Sequence, residues 1–342
     1  MEAQKFNPLE IRTNHPGLWR YSHALPVDFS DAITLGEGFT PSLYLKIGGR
    51  HVHIKQEQLF PTGSYKDRGA TILISDAYKK RVKHVVQDSS GNAGCAIAAY
   101  AAKAKISCDI YVPEDTSAAK LAQIQMYGAN LISVAGNREQ TAEMAMLAAQ
   151  KSYYASHCYN PLFLEGTKTF AYEICEQLNW KVPDVVVLPA GNGTLLLGAY
   201  IGFKHLLESH VISKLPKLVA IQAENCAPLY HAWKNNLTHI PTIETQTTLA
   251  EGIAIAKPYK GLDMIDVVHK TNGLFLTVSE DEILTTLKDC CRNGYYIEPT
   301  SAATIAGLIK AYAYLEAETW VSLFSGHGLK STEKMLAILA KH

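Results

Sequence analysis

Lys66 lies in the stretch Pro61-Thr62-Gly63-Ser64-Tyr65-Lys66-Asp67-Arg68-Gly69-Ala70, whose residue types suit amine chemistry. A strand-like run, His51 to Lys55, precedes it, and a helix-like run from Arg68 to Lys79 follows. Pro61 and Gly63 mark a turn, and Ser64 is placed to cap the helix. Lys66 then falls in the first helical turn, where the partial positive charge of the helix end disfavours a second positive charge. A lysine so placed is easier to keep as a neutral amine, the nucleophilic form, although Asp67 pulls the other way. The competing reading is an ordinary solvated surface lysine. The surrounding pattern decides between the two.

Three further loops follow strand-like runs and open helices: Ser89-Ser90-Gly91-Asn92, Gly191-Asn192-Gly193-Thr194 and Ser325-Gly326-His327-Gly328. In open parallel sheets such loops line the crevice at the carboxyl ends of the strands. Their small residues let backbone N–H groups approach a ligand. The 191–194 turn suits a phosphate, because exposed donors and a helix N-terminus both favour an anion. The competing readings are a plain structural turn and a dinucleotide fingerprint, the latter disfavoured because Leu196 stands where the third glycine belongs and no acidic residue ends the next strand at ribose distance. Ser89 to Asn92 offers hydroxyls, an amide and N–H groups for a carboxylate or phenolate oxygen, or a plain helix cap. His327 alone reads as a structural residue.

The elements that position these loops alternate from residue 66 onward. Helical runs are expected at Arg68–Lys79, Ala93–Lys103, Ser117–Tyr127, Arg138–Lys151, Glu165–Leu178, from the 191–194 turn to Leu207, Glu280–Arg292 and Thr300–Tyr314, with a last one closing the chain. Strands are expected at His84–Gln87, Cys108–Val112, Leu131–Val134, Tyr153–Ser156, Asp184–Leu188, Leu218–Gln222, Leu274–Val278 and Val321–Phe324. Such alternation implies right-handed βαβ units and a parallel sheet, an α/β class. Residues 1–50 read as an irregular arm followed by a hairpin around Gly48-Gly49. The pattern is continuous, so two lobes sharing a cleft are expected rather than separate beads.

Composition removes several function classes. The chain has 342 residues, with 32 Lys and Arg against 32 Asp and Glu. Zero net charge without basic runs gives no footprint for nucleic acid or an anionic membrane. The N-terminus lacks an apolar signal core. The uncharged stretch from Val185 to Phe203 reads as strand, turn and helix rather than a membrane span. Seven scattered cysteines imply reduced thiols in a cytoplasm, and no metal-ligand spacing occurs.

Taken in order, the Lys66 stretch, Ser89-Ser90-Gly91-Asn92-Ala93-Gly94, the 191–194 turn, Glu298-Pro299-Thr300-Ser301-Ala302-Ala303 and Ser325-Gly326-His327-Gly328-Leu329-Lys330 resemble the fold type II pyridoxal-phosphate enzymes, and most closely the threonine synthase family. The resemblance runs from about Gly36 to Lys330. It implies a two-lobed, tryptophan synthase β-like α/β fold. The large cofactor-binding domain would comprise 1–60 and 160–342, and a smaller domain, 61–159, would carry Lys66 and the Ser89–Asn92 loop. It implies that Lys66 holds pyridoxal 5'-phosphate as a Schiff base and shuttles the Cα proton. Asn92 would meet the ring hydroxyl. Gly191, Asn192, Gly193, Thr194 and Leu195 would bind the cofactor phosphate, and Ser325 the pyridine nitrogen. Ser89, Ser90 and Gly91 would hold the substrate carboxylate. A serine cannot protonate the pyridine as a carboxylic acid can, so the ring is a milder electron sink, suited to elimination and replacement.

The implied activity is conversion of O-phospho-L-homoserine and water to L-threonine and phosphate by β,γ-replacement, in a cytoplasmic homodimer with no metal, nucleic-acid or membrane partner. Lys55 and Asn160 fit the family's substrate-phosphate cluster. The pattern breaks at His157-Cys158, where Asn-Ser is usual, and at Phe163, where an arginine is usual. Loss of a bidentate phosphate donor costs affinity unless His157 or Lys168 replaces it. The alternative is therefore a threonine or serine ammonia-lyase, or a β-replacement enzyme on a serine-type substrate, with a more apolar pocket around Phe163. A catalytically silent binding protein on the same fold is the alternative from another class. No further regulatory domain is expected after the last motif.

Overall fold

Gly48 and Gly49 both take positive φ, 56° and 84°. That is the two-residue turn a tight hairpin requires, and it pairs Ile47 with Arg50. The computed structural model describes residues 5–116, 118–136 and 138–340. In chain order these hold β1 (Ser42–Ile47), β2 (Arg50–Lys55), α1 (Asp67–Lys79), β3 (His84–Gln87), α2 (Asn92–Ala104), β4 (Ser107–Pro113), α3 (Ala118–Met126), β5 (Asn130–Val134), α4 (Arg138–Ala149), β6 (Tyr153–Tyr154), α5 (Leu162–Thr167) and α6 (Thr169–Gln177). Then come β7 (Val185–Pro189), α7 (Thr194–Glu208), β8 (Lys217–Ala223), α8 (Pro228–Lys234), α9 (Gly261–Lys270), β9 (Leu274–Val278), α10 (Glu280–Arg292), α11 (Pro299–Ala311), β10 (Trp320–Leu323) and α12 (Thr332–Ala340). The expected start of the third helix, Ser117, lies outside the described residues.

Two units divide the chain. The first comprises the described residues of Met1–Pro8, Thr40–Leu59 and Lys168–His342. Its sheet has the order β1-β2-β10-β7-β8-β9. The β1–β2 pair is antiparallel and all other pairs are parallel. Every residue of β7 is buried, as expected for a parallel strand covered on both faces. The core joins Val185, Val187, Val219 and Ile221 to Ala302, Ile305 and Leu308 of α11. α10 begins with a capping box, Ser279 Oγ accepting from Glu282 N while the Glu282 carboxylate accepts from Ser279 N.

The second unit comprises Leu9–Phe39 and Phe60–Thr167, around a parallel sheet of order β5-β4-β3-β6. These boundaries differ from the expected 61–159 segment: residues 9–39, Phe60 and 160–167 also belong here. The reason is packing. Leu18, Trp19 and Val27 share a buried cluster with Ile72 of α1. The buried Glu37 carboxylate gathers Trp19 Nε1 at 2.9 Å, Leu35 N at 2.7 Å and Tyr100 Oη at 2.8 Å. An arm rich in turns is thus pinned by one desolvated acid whose oxygens are satisfied. The helix expected over Glu165–Leu178 is two helices, α5 and α6. α5 starts early because Asn160 Oδ1 accepts from Leu162 N at 3.1 Å. Among the described residues no helix is long and apolar enough to cross a membrane.

Candidate active site

Lys66 occupies the N-cap of α1, one residue before the helix proper, with φ −61° and ψ −24°. Ser64, expected as the cap, does not cap; its Oγ is buried without a hydrogen-bond partner. The turn is clamped from inside the helix instead. The fully buried Asp67 accepts from Thr62 N at 2.9 Å and from Thr62 Oγ1. Gly63 takes φ +82° and its N–H reaches Phe60 O at 2.8 Å. An acid in the first turn also suits the helix dipole. Lys66 is half-buried; its Nζ donates to Tyr65 Oη at 2.5 Å and lies 4.2 Å from that ring's centroid.

The Ser89–Asn92 loop leaves β3 and enters α2. Ser89 Oγ accepts from Gly91 N at 3.3 Å. A Cβ on Gly94 would sit 1.8 Å from Ser89 O, so only glycine lets α2 close on this loop. Asn92 is the first residue of α2 and Gly91 caps it without a side-chain bond. His157 follows β6 in the same unit and is buried, with Nε2 3.2 Å from Cys158 Sγ. Burial, then the nearby Lys66 and Arg138 charges, push its pKa well below the usual imidazole value. It is therefore neutral at pH 7 and adds no positive charge beside Lys66.

In the first unit, Gly191 to Thr194 turns from β7 into α7. Gly193 takes φ +76°, and a Cβ there would meet Met264 Sδ at 2.3 Å. A Cβ on Gly191 would lie 3.0 Å from Gly252 O. The Glu251–Ala254 loop beneath is tied by Gly252 N to Thr300 Oγ1 at 3.1 Å. α7 has no side-chain cap hydrogen bond, and the first N–H groups of a helix have no partner within it, which suits an anion. The 15-residue α7 adds its dipole. Asn192 is half-buried, while Thr194 and Leu195 are buried. Ser325 is buried, with Oγ 3.0 Å from Ser301 Oγ, and either hydroxyl can be the donor. When Ser301 donates, the Ser325 proton is left for a ring nitrogen. Ser301 also accepts from Gly326 N at 3.1 Å. It lies inside the 298–303 motif, but sequence reasoning gave it no role.

Gly193→Ala is expected to cost about 1–3 kcal/mol from the backbone alone, with the buried Met264 displaced as well. The urea midpoint should fall and pyridoxal phosphate affinity with it. An unchanged midpoint and affinity would contradict this reading of the turn.

Residues 33–326 match the model of the family described as pyridoxal-phosphate dependent enzyme. The chain belongs to that family, in its threonine synthase branch. The threonine synthase of Methanocaldococcus jannaschii is 36% identical over 344 residues, covering 96% of this chain and 84% of the relative. That of Mycobacterium bovis is 35% identical, covering 92% and 89%. Among solved structures, serine racemase from Dictyostelium discoideum superposes with a TM-score of 0.71 at 26% identity, covering 85% of this chain and 92% of that one. The fold is fold type II, and pyridoxal phosphate is the cofactor. The enzyme carries out lyase-type chemistry, elimination or replacement, within this superfamily. The glycine turn at the head of α7, without a side-chain cap, and the Ser301-supported hydroxyl of Ser325 fit that cofactor's phosphate and ring.

Two residues expected to meet substrate phosphate have other work. Lys55 is fully buried, and its ammonium donates to Thr40 O at 2.7 Å, Glu173 Oε2 at 3.0 Å and Gln177 Oε1 at 2.9 Å. Those three bonds use all three ammonium protons. Asn160 spends its amide on Tyr153 Oη and Tyr154 O, both at 3.3 Å, besides starting α5. Phe163 does not shape an apolar substrate pocket. It is fully buried against Gly69, where a Cβ would lie 2.3 Å from its ring, and belongs to the core between α1 and α5. Among the described residues no group of three or more His, Cys, Asp and Glu side chains is placed to hold a metal.

Proposed function

We propose that the enzyme converts O-phospho-L-homoserine and water to L-threonine and phosphate. The observation that carries the chemistry is Lys66 at the open end of α1, in a turn clamped by Asp67. The substrate choice is supported by the names and near full-length similarity of the relatives. Pyridoxal phosphate, when bound, supplies a ring that accepts the electron pair left at Cα. Lys66 Nζ would hold the cofactor's aldehyde carbon and, once released, take the Cα proton. Asn92 would bond the ring hydroxyl. Gly191, Asn192, Gly193 and Leu195 would hold the cofactor phosphate through N–H groups, with the Thr194 hydroxyl. Ser325 would meet the pyridine nitrogen. Ser89, Ser90 and Gly91 would hold the substrate carboxylate.

A second reading, elimination from threonine or serine or β-replacement on a serine-type substrate, is favoured by one observation. The positions from which the resemblance draws phosphate cations hold an internally paired lysine, Lys55, and a core phenylalanine, Phe163. Incubating cofactor-loaded enzyme with O-phospho-L-homoserine separates the two. Equal amounts of inorganic phosphate and threonine are expected. No phosphate, together with 2-oxo acid from threonine or serine, would hand the function to the second reading.

A further inference from the structure

Asp88 is the residue immediately before the Ser89–Asn92 loop, at the end of β3. Its side chain is nine-tenths buried, and Oδ1 has no hydrogen-bond partner. The buried Tyr154 hydroxyl faces Asp88 and Ser156, close enough for each to shift its titration, but meets neither in well-formed hydrogen-bond geometry. Backbone geometry keeps the pair there. Gln87 Oε1 accepts from Asp88 N at 2.7 Å, and Gln87 Nε2 donates to Ala155 O at 2.9 Å, joining the end of β3 to the residue after Tyr154. His157, which feels the Lys66 charge, and Asp88 both feel Arg138 of α4, so these groups share one neighbourhood. Two desolvated polar atoms left unmade cost free energy that a bound partner recovers. Burial raises the Asp88 pKa, while Arg138 chiefly opposes the rise.

In the proposed function Lys66 serves Cα and Ser89 to Gly91 serve the carboxylate. The side chain of threonine remains to be placed, and its first polar atom is an oxygen on Cβ. We infer that Asp88 Oδ1, with the Tyr154 hydroxyl beside it, receives the β-hydroxyl of the amino acid handled at Lys66. The ligand class is therefore β-hydroxy-α-amino acids. This rests on the pyridoxal-phosphate reading of the site and holds for either substrate above, since threonine is the product of one reaction and a substrate of the other. Asp88 is then the residue that distinguishes threonine from its analogue without the hydroxyl.

The test uses cofactor-loaded wild type, Asp88→Ala, Asp88→Asn and Tyr154→Phe. Each is titrated with L-threonine and L-2-aminobutyrate, reading cofactor absorbance at mixing, before turnover. Wild type should bind threonine about 10-fold or more tightly than 2-aminobutyrate, the range for a hydrogen bond to a charged group. Asp88→Ala should bring the ratio close to one by weakening threonine alone. Asp88→Asn, which keeps an acceptor, should retain part of the preference, and Tyr154→Phe should lose a smaller part. A wild-type ratio near one, or a ratio unchanged in Asp88→Ala, overturns the inference. If Asp88→Ala does not fold, the wild-type ratio with Asp88→Asn and Tyr154→Phe decides, and an unchanged ratio in both again overturns it. Wild type that takes up no pyridoxal phosphate fails the underlying reading and takes the inference with it. Loaded protein with the wrong ratio fails the inference alone.

Discussion

Lys66→Ala is expected to lower turnover by about 10³-fold or more, because in the proposed function one substitution removes both the amine that would hold the cofactor and the base that would take the Cα proton. The turn should survive the change. Its clamp is Asp67 with Thr62, and the Lys66 backbone carbonyl, which accepts from Gly69 N and Ala70 N, is kept by the substitution. Tyr65 loses a hydrogen bond and a cation–π contact, both at a half-buried position. The unfolding midpoint is thus expected to stay close to wild type while visible absorbance after incubation with pyridoxal phosphate is lost or changed. Borohydride reduction of wild type followed by peptide mapping should place the label on Lys66. A label on another side chain, or retained turnover in the alanine variant, would remove the central residue of the mechanism.

Lys55→Met should instead act on stability, by about 3–5 kcal/mol. The methionine fits the stem of the lysine but removes the Lys55 ammonium from the fully buried Glu173 carboxylate. Thr40 N still donates to Glu173 at 3.2 Å, but a neutral donor does not replace the charge of the lost ammonium. Gln177 Oε1 and Thr40 O lose a donor too, although Gln177 Nε2 still reaches Thr40 O at 2.9 Å. Pairing Lys55→Met with Glu173→Leu should recover much of the loss, since removing both ions also removes the burial cost. Guanidinium unfolding of the two variants measures this. A single variant with an unchanged midpoint and a raised KM for O-phospho-L-homoserine would restore Lys55 to the substrate.

These two residues show what is readable in line and what is not. The place of Lys66 at the head of α1 was legible because its local signal is dense: a turn, a helix start and an acid stand within a few residues. Lys55 was misread because its motif position says nothing about Glu173 and Gln177, more than a hundred residues away. The same holds for Phe163. Its place in an expected phosphate cluster suggested a pocket, whereas Gly69 on another helix offers the space its ring fills. The arm at 9–39 looked irregular because its order comes from Glu37 and from Ile72 of α1 rather than from periodicity. Asp88 carried no motif signal, and only its burial and unmade bond single it out.

The chain alone therefore determined what short-range physics encodes: the alternation of strands and helices, the glycine turns that need positive φ or close approach, and the amine at the head of α1. Hydrophobic period, caps and turn residues act over a few positions, so they can be read in line. Tertiary structure decided which polar side chains are spent and which remain for a ligand. Ion pairing and burial depend on residues far apart in the chain. That is why Lys55 proved to be a buried strut, Ser301 a support for Ser325, and Asp88 an acid with an oxygen left to offer.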